Sequence, residues 1–220
     1  MFIGHYAVGF GAKRVAPAVS LGTLFLACQL ADLIWPTLVL AGVEVVQIDP
    51  GNTVVTPLRF VSYPWSHSLL ALAVWGAALA GLYRLLRPAA ASTTVLVTLA
   101  GVVLSHWVLD VASHGPDMPV TPWDATRLGL GLWNSLPATA AVEGGMFAAG
   151  VWIYARATAA RDRTGRVAFW SLVAFLSLVY VANLLGPPPP SASAVAWSAE
   201  ALWLVVAWGY WIDRHRQPAA

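Results

Sequence analysis

The sequence predicts an all-α fold: a helical bundle of about six membrane-spanning helices that forms one integral membrane domain over residues 1–220. Three observations support this prediction. Hydrophobic residues make up 59% of the chain, charged residues make up 10%, and the mean hydropathy is +0.69. A soluble domain carries about 25% charged residues. Six stretches also approach the roughly twenty apolar residues that a membrane-spanning helix needs.

Residues that end helices separate the six stretches. The breakers are Asp49-Pro50-Gly51-Asn52, Arg87-Pro88, Gly115-Pro116, the polar segment 161–165 and the proline run 187–190. We therefore expect spans at 20–41, 68–86, 93–112, 137–154, 167–185 and 193–212. Residues 2–12 are too few to span a membrane. They predict a short re-entrant or interfacial helix that carries His5, with a loose start to the first span as the alternative.

The basic residues indicate the orientation of the bundle, because Lys and Arg are retained on the cytoplasmic side. Ten of the twelve fall on one side of the six-span arrangement, and only Arg59 and Arg127 fall on the other. Both termini are therefore expected in the cytoplasm of a bacterial inner membrane. The net charge of +2 and the scattered basic residues argue against a nucleic-acid partner. Cys28, the only cysteine, is expected to be a small buried hydrophobic residue.

Several ionisable residues fall within the predicted spans or at their outer ends, in the outward half of the membrane. They are Asp32, His67, His106, Asp110, Glu143 and Glu200. An acid at the centre of a membrane-spanning helix costs about 2.5 to 3.5 kcal/mol, and no Lys or Arg is expected at that depth. The acids therefore need protons or a metal cation. The nearby histidines favour a metal, because imidazole and carboxylate groups are ligands of zinc and similar ions.

The segment 105–117 carries the densest group of these residues. His106 and Asp110 are four positions apart, so they share one face of a helix and lie about 6 Å apart along its axis. We interpret this pair, together with His67 and Asp32, as metal ligands, and Glu143 as a general base. A hydrogen bond between His106 and a carboxylate that serves packing alone is the alternative interpretation.

These residues follow one another in a recognisable order. The order is Gly4-His5, Asp32, Ser66-His67-Ser68, and Ser105-His106 with Leu109-Asp110. It resembles the pattern of the bacterial LexA-regulated membrane-bound metal-dependent hydrolases, which are distantly similar to zinc-dependent phospholipase C. The resemblance covers roughly residues 1–120.

The resemblance implies a set of metal ligands and an activity. The implied ligands are His5, Asp32, His67, His106 and Asp110, with Asp110 able to bridge two ions, and His114 and Glu143 as weaker candidates for a further metal. The soluble relatives also use an N-terminal amine as a ligand. That role is not carried over, because Met1 precedes His5 by four residues.

The predicted function is that of a membrane-bound hydrolase that uses a divalent metal, expected to be zinc. A site partly inside the outer leaflet favours a phospholipid or another lipid-linked phosphoester as substrate, and the lipid bilayer as the surrounding partner. The alternative is a small transporter that uses the same acids and histidines for protons or metal ions. A haem protein with His67 and His106 as axial ligands is a third alternative, which the surrounding acids disfavour.

Overall fold

The computed structural model describes residues 1–219, which form a bundle of helices with three small two-stranded sheets. The helices are α1 (Ile3–Ala12), α2 (Leu21–Cys28), α3 (Leu30–Leu40), α4 (Pro64–His67), α5 (Leu69–Leu86), α6 (Thr93–Ser113), α7 (Leu136–Ala157), α8 (Arg163–Leu185), α9 (Ala192–Glu200) and α10 (Leu202–Arg214). The strands are β1 (Val45–Ile48), β2 (Leu58–Ser62), β3 (Met118–Pro119), β4 (Arg127–Leu128), β5 (Thr158–Ala160) and β6 (Arg216–Pro218). The prediction of an all-α bundle is confirmed.

The membrane-length helices agree with the predicted spans. Within residues 1–219, five segments are long and apolar enough to cross a membrane: α5, α6, α7, α8 and the segment Ala192–Arg214 that joins α9 and α10. The bent pair α2 and α3 passes the same test when its two helices are taken together, which gives six if the pair is one span. The chain is thus a multi-pass membrane protein.

The first span is broken near its middle, which the sequence did not predict. α2 ends at Cys28, α3 begins at Leu30, and the two helices are bent by 56°. Gln29 stands at the break with a fully buried side chain, and neither of its amide atoms has a hydrogen-bond partner among residues 1–219. No glycine or proline marks this position, so the expectation of one continuous helix over 20–41 was wrong. The carbonyl of Cys28 bonds instead to His106, a compensation that only the folded structure supplies.

The short helix α1 lies inside the bundle. Eight of its ten residues are buried, and it packs against α2, α6 and α7. The ring of Phe10 meets Phe25 edge-on at 5.0 Å between ring centres. α1 passes so close to α7 that a Cβ on Gly150 would stand 2.4 Å from the carbonyl oxygen of Ala7. At about 15 Å of length, α1 is a half-length buried helix and does not lie along a membrane interface.

Buried charges lie at both ends of α1. Near its C-terminal end, Lys13, Tyr154 and Asp213 form what we call the Asp213 cluster. The ammonium of Lys13 donates to Asp213 at 2.7 Å and to the carbonyl of Val19 at 2.7 Å. The hydroxyl of Tyr154 donates to the same carboxylate at 3.0 Å. Near the N-terminal end of α1 lies the group of predicted metal ligands.

The connections that were predicted to face outward form structure that the sequence did not predict. β1 and β2 form an antiparallel hairpin, and β3 pairs with β4 beside it. A small second core of Trp35, Val46, Tyr63 and Met118 lies beneath the hairpin. This core fixes the loop that leads into α4, and α4 ends at His67.

Candidate metal centre

The five predicted ligands come together from four segments of the chain. We call His5, Asp32, His67, His106 and Asp110 the Asp110 cluster, because Asp110 lies in contact with all three imidazoles. Its Oδ1 is 3.0 Å from Nε2 of His5, and its Oδ2 is 3.1 Å from Nε2 of His106 and 3.9 Å from Nε2 of His67. α6 supplies His106 and Asp110 from adjacent turns, as their four-residue spacing predicted.

Asp32 closes the cluster from the other side. Its Oδ1 lies 3.4 Å from Nε2 of His67 and 3.8 Å from Nε2 of His106. Two sets of ligand atoms each lie within 4.8 Å of one another: His5, Asp32 and His106, and His67, His106 and Asp110. The side chain of Asp32 is 27% exposed, whereas that of Asp110 is 3% exposed. The cluster is therefore open at Asp32 and closed elsewhere.

The hydrogen bond of His106 determines which of its nitrogens faces the cluster as an acceptor. Nδ1 of His106 lies 2.8 Å from the carbonyl oxygen of Cys28. A carbonyl accepts only, so Nδ1 carries a proton, and in the neutral ring Nε2 carries the lone pair. Nε2 is buried and has no hydrogen-bond partner within residues 1–219. The break between α2 and α3 thus provides the acceptor that orients this imidazole.

His5 lies flat against His106. The two imidazole rings are 3.7 Å apart at their centres and only 3° from parallel. Nδ1 of His5 is the second ring nitrogen of the cluster that is buried without a partner in the described part of the chain. The rings of His67 and His106 meet edge-on at 5.2 Å. Three imidazoles therefore share a space in which three positive charges would repel one another strongly.

The residues before α1 also reach the cluster. The backbone nitrogen of Met1 contacts Oδ1 of Asp110 and lies 3.2 Å from the hydroxyl of Ser113. The position of His5 alone did not predict this contact, because it depends on how α1 enters the bundle.

Glu143 holds this segment in place from α7. Its Oε2 accepts the backbone N–H of Phe2 at 2.8 Å and that of Gly4 at 3.4 Å, and the side chain is buried. These contacts fix the start of α1 and therefore the position of His5. The role of Glu143 as a general base stays a prediction.

His114 belongs to a neighbouring group. Its Nδ1 is 3.0 Å from Oδ1 of Asp117, and the hydroxyl of Tyr63 donates to the same oxygen at 2.8 Å. Burial raises the pKa of Tyr63, and the charge of Asp117 raises it further. Among residues 1–219, neither set of converging ligand atoms includes His114. Tyr63 stands between the two groups, since its ring is 5.2 Å from that of His67.

Sequence reasoning missed Glu44 and Ser66. Glu44 falls in a segment predicted to face outward, where an acid is normally solvated. In the structure its side chain is buried and bonded to Ser66, which contacts His67. The Ser66-His67 pair was visible in the sequence, but Glu44 lies more than twenty residues earlier and no spacing connects it to the pair.

Comparison with known proteins gave no matching family model, no similar curated protein and no similar solved structure. The resemblance to membrane-bound hydrolases therefore stays a prediction from the motif residues.

Proposed function

We propose that this chain is a membrane-bound metal-dependent hydrolase of the bacterial inner membrane, and that the Asp110 cluster holds a divalent metal ion such as zinc. One observation carries the proposal. The lone pair of His106 Nε2 faces carboxylate oxygens of Asp110 at 3.1 Å and of Asp32 at 3.8 Å. Acceptors that face one another in a buried space need a proton or a metal cation between them.

A metal ion fits this arrangement better than protons alone. Protonating every imidazole would place positive charges on rings that are 3.7 Å and 5.2 Å apart. A divalent cation held by either set of ligand atoms would neutralise carboxylate charge beside imidazole lone pairs, without charging the rings. Neutral imidazole and carboxylate oxygen form the donor set of zinc, manganese and iron sites.

A bound divalent ion supplies a Lewis acid and a water that loses its proton near neutral pH. The residues of the chain then have separate tasks. Asp110 and the three histidines form the closed wall of the site, and Asp32 lies on the side through which a substrate enters. Both backbone contacts of Glu143 use Oε2. We therefore assign to its other oxygen, Oε1, the role of general base that accepts a proton from the attacking water.

The substrate that we propose is a phospholipid or another lipid-linked phosphoester. The cluster lies among helices of membrane length, and its exposed acid, Asp32, belongs to the span built from α2 and α3. A substrate with an apolar tail reaches such a position from within the bilayer. The exposed Arg59 and Arg127 are the outward cations that we assign to its head group. In the orientation in which Arg59 and Arg127 face outward, the Asp213 cluster lies at the cytoplasmic side, together with most of the basic residues.

A second candidate function is transport of a metal ion or protons. The observation that favours it is the break at Gln29, next to the cluster, because transporters form their binding sites at interrupted helices. Protons or metal ions would then pass the same acids and histidines.

Metal analysis of the detergent-purified protein tests the proposed site. We expect stoichiometric zinc, manganese or iron in the wild type and its loss in His106→Ala and in Asp110→Asn. Glu200→Gln is the matched control, since Glu200 is an acid within a span that bonds to Thr37 outside the cluster. Full metal content in both cluster variants would exclude the site.

Two assays separate the candidate functions. Hydrolysis of phospholipid or phosphodiester substrates by the metal-loaded wild type, lost in His106→Ala, supports the hydrolase. Zinc uptake into proteoliposomes without any hydrolysis supports the transporter and contradicts the hydrolase.

A further inference from the structure

Glu44 is a buried acid that the proposed chemistry leaves without a task. α3 ends in a tight turn, in which the N–H of Gly42 bonds to the carbonyl of Val39 at 3.0 Å and that of Val43 to Leu38 at 2.9 Å. Gly42 has a φ of +72°, which a glycine adopts without strain. This turn reverses the chain and brings Glu44 against the start of α4.

Within residues 1–219, the hydrogen bonds to the Glu44 carboxylate come from the two residues of α4 that precede His67. The carboxylate accepts the backbone N–H of Trp65 at 2.8 Å and that of Ser66 at 2.9 Å through Oε1. Its Oε2 accepts the hydroxyl of Ser66 at 2.6 Å. The Glu44 side chain is only 2% exposed, so these three donors replace the water that a carboxylate would otherwise bind.

The hydroxyl of Ser66 connects Glu44 to the cluster. Its oxygen lies 2.7 Å from Nδ1 of His67. Ser66 has one hydroxyl proton, and the short contact to an ionised carboxylate takes it. The oxygen of Ser66 therefore accepts a hydrogen bond from Nδ1 of His67, and the lone pair of the ring lies on Nε2. That atom faces Asp32 at 3.4 Å and Asp110 at 3.9 Å.

We infer that Glu44 is a positioning residue that acts through Ser66 to fix the tautomer and the ring orientation of His67 as a metal ligand. The inference rests on the proposed metal centre and identifies the part of the chain that tunes it. A carboxylate behind a ligating imidazole raises the basicity of the ring and holds it in the binding orientation. Here a serine hydroxyl carries the effect of the carboxylate to the ring.

The two imidazoles differ in what holds them. The acceptor behind His106 is the backbone carbonyl of Cys28, which no side-chain substitution removes. The acceptor behind His67 is a pair of side chains, Ser66 and Glu44, which substitution can remove one at a time. The contribution of Ser66 and Glu44 to metal binding is therefore measurable without changing any metal ligand.

Zinc affinity of the purified protein, measured by competition with a chromophoric chelator, tests the inference. We expect Glu44→Gln and Ser66→Ala each to weaken zinc binding by about 10- to 100-fold. The double variant should bind zinc no more weakly than the single variant with the lower affinity, because both substitutions interrupt the same connection from Glu44 through Ser66 to His67. Ser68→Ala is the matched control: it removes a neighbouring hydroxyl that caps α5 through the N–H of Ala71 at 3.1 Å, and it should keep wild-type affinity.

Nitrogen NMR of ¹⁵N-histidine-labelled, metal-free protein gives a second readout. The wild type should show His67, assigned by comparison with His67→Gln, protonated at Nδ1. Ser66→Ala should show a mixture of the two tautomers, which loss of stability alone would not produce.

The outcomes separate the inference from the function on which it rests. Wild-type zinc affinity in both Glu44→Gln and Ser66→Ala, or a His67 protonated at Nε2 in the wild type, would overturn the role of Glu44 while leaving the metal centre intact. A wild type that binds no zinc, manganese or iron would overturn the metal centre, and with it the role of Glu44 toward a metal.

Discussion

The Asp213 cluster and the Asp110 cluster both bury charge near α1, but they differ in how completely the chain supplies donors to their carboxylates. Asp213 accepts from Lys13 at 2.7 Å, from the backbone N–H of Leu21 at 2.7 Å and from Tyr154 at 3.0 Å. In the Asp110 cluster, carboxylate oxygens instead face the lone pair of His106. At one end of α1 the chain supplies a donor for each contact of the carboxylate. At the other end it supplies Met1 and His5 to Asp110 and leaves Nε2 of His106 facing Asp32.

This difference is the one expected between a structural ion pair and the metal centre that we propose. A buried ion pair with all its hydrogen bonds satisfied holds elements together, and removing one partner is costly. A cluster of facing acceptors destabilises the fold until a cation binds, and folding energy is then coupled to the ligand. The two clusters should consequently respond in opposite ways to zinc and to neutralising substitutions.

The largest effect should come from zinc itself. Because a ligand that binds only the folded state stabilises it by mass action, free zinc at about 1,000 times its Kd should raise the free energy of unfolding by about 4 kcal/mol. Thermal unfolding in detergent, with and without zinc, measures this. Asp110→Asn should abolish the increase, and Asp213→Asn should keep it. An equal increase in Asp110→Asn would contradict the contrast between the clusters.

The second effect concerns the Asp213 cluster. Asp213→Asn leaves the buried ammonium of Lys13 without its ion-pair partner, so the free energy of unfolding should fall by about 3 kcal/mol. Thermal unfolding measures the loss, while the metal content of the folded fraction should be unchanged. The double variant Lys13→Met with Asp213→Asn should recover part of the loss, since no unpaired charge then remains. If Asp213→Asn were as stable as the wild type, the structural role of the Asp213 cluster would be contradicted.

A smaller effect is expected at Gly42, which shapes the turn that leads to Glu44. The Cβ that Gly42→Ala adds meets no atom within 4 Å, but the alanine must adopt a φ of +72°. This strain should lower the free energy of unfolding by about 1 kcal/mol. Chemical unfolding of the metal-free protein measures it. Gly81→Ala in α5 is the matched control, because it also meets no atom within 4 Å but lies in a helix, and it should cause no loss. Equal stability of the two variants would contradict the proposed strain.

The smallest effect is expected at Asp162, an exposed acid at the end of the bundle where β5 and β6 pair. The hydrogen bond from His215 at 2.7 Å lowers the pKa of Asp162, and the N–H of Gly165 lowers it further. A lowered pKa means that the pair stabilises the fold above the ordinary pKa of an aspartate and loses this effect as the pH falls through the native value. Asp162→Asn should therefore melt slightly below the wild type at pH 7, and the difference should disappear in acid. A difference in melting temperature that grows as the pH falls would contradict the lowered pKa of Asp162.

Much of the fold could be predicted because membrane spans have a strong compositional signal. The prediction for 68–86 agrees with α5 at Leu69–Leu86, and that for 193–212 lies within Ala192–Arg214. The break at Gln29 could not be predicted, since a hydrogen bond from His106, far along the chain, compensates it. The hairpin of β1 and β2 also has no membrane signal of its own.

The candidate site was predictable to a similar degree. His106 and Asp110 follow from helical spacing, and the motif order indicated His5, Asp32 and His67. His114 was expected as a weaker candidate, and it lies instead with Asp117 and Tyr63. Glu44 was not predictable, because its burial depends on a turn after α3 that places it beside a residue 22 positions later.

The position of α1 has a consequence for how the protein is made. Its partners are remote in sequence: His5 meets Asp110 across 105 positions, Phe2 meets Glu143 across 141, and Lys13 meets Asp213 across 200. A ten-residue helix is too short to enter a bilayer by itself. The Asp110 cluster is therefore complete only when α1 has packed against helices that are synthesised after it.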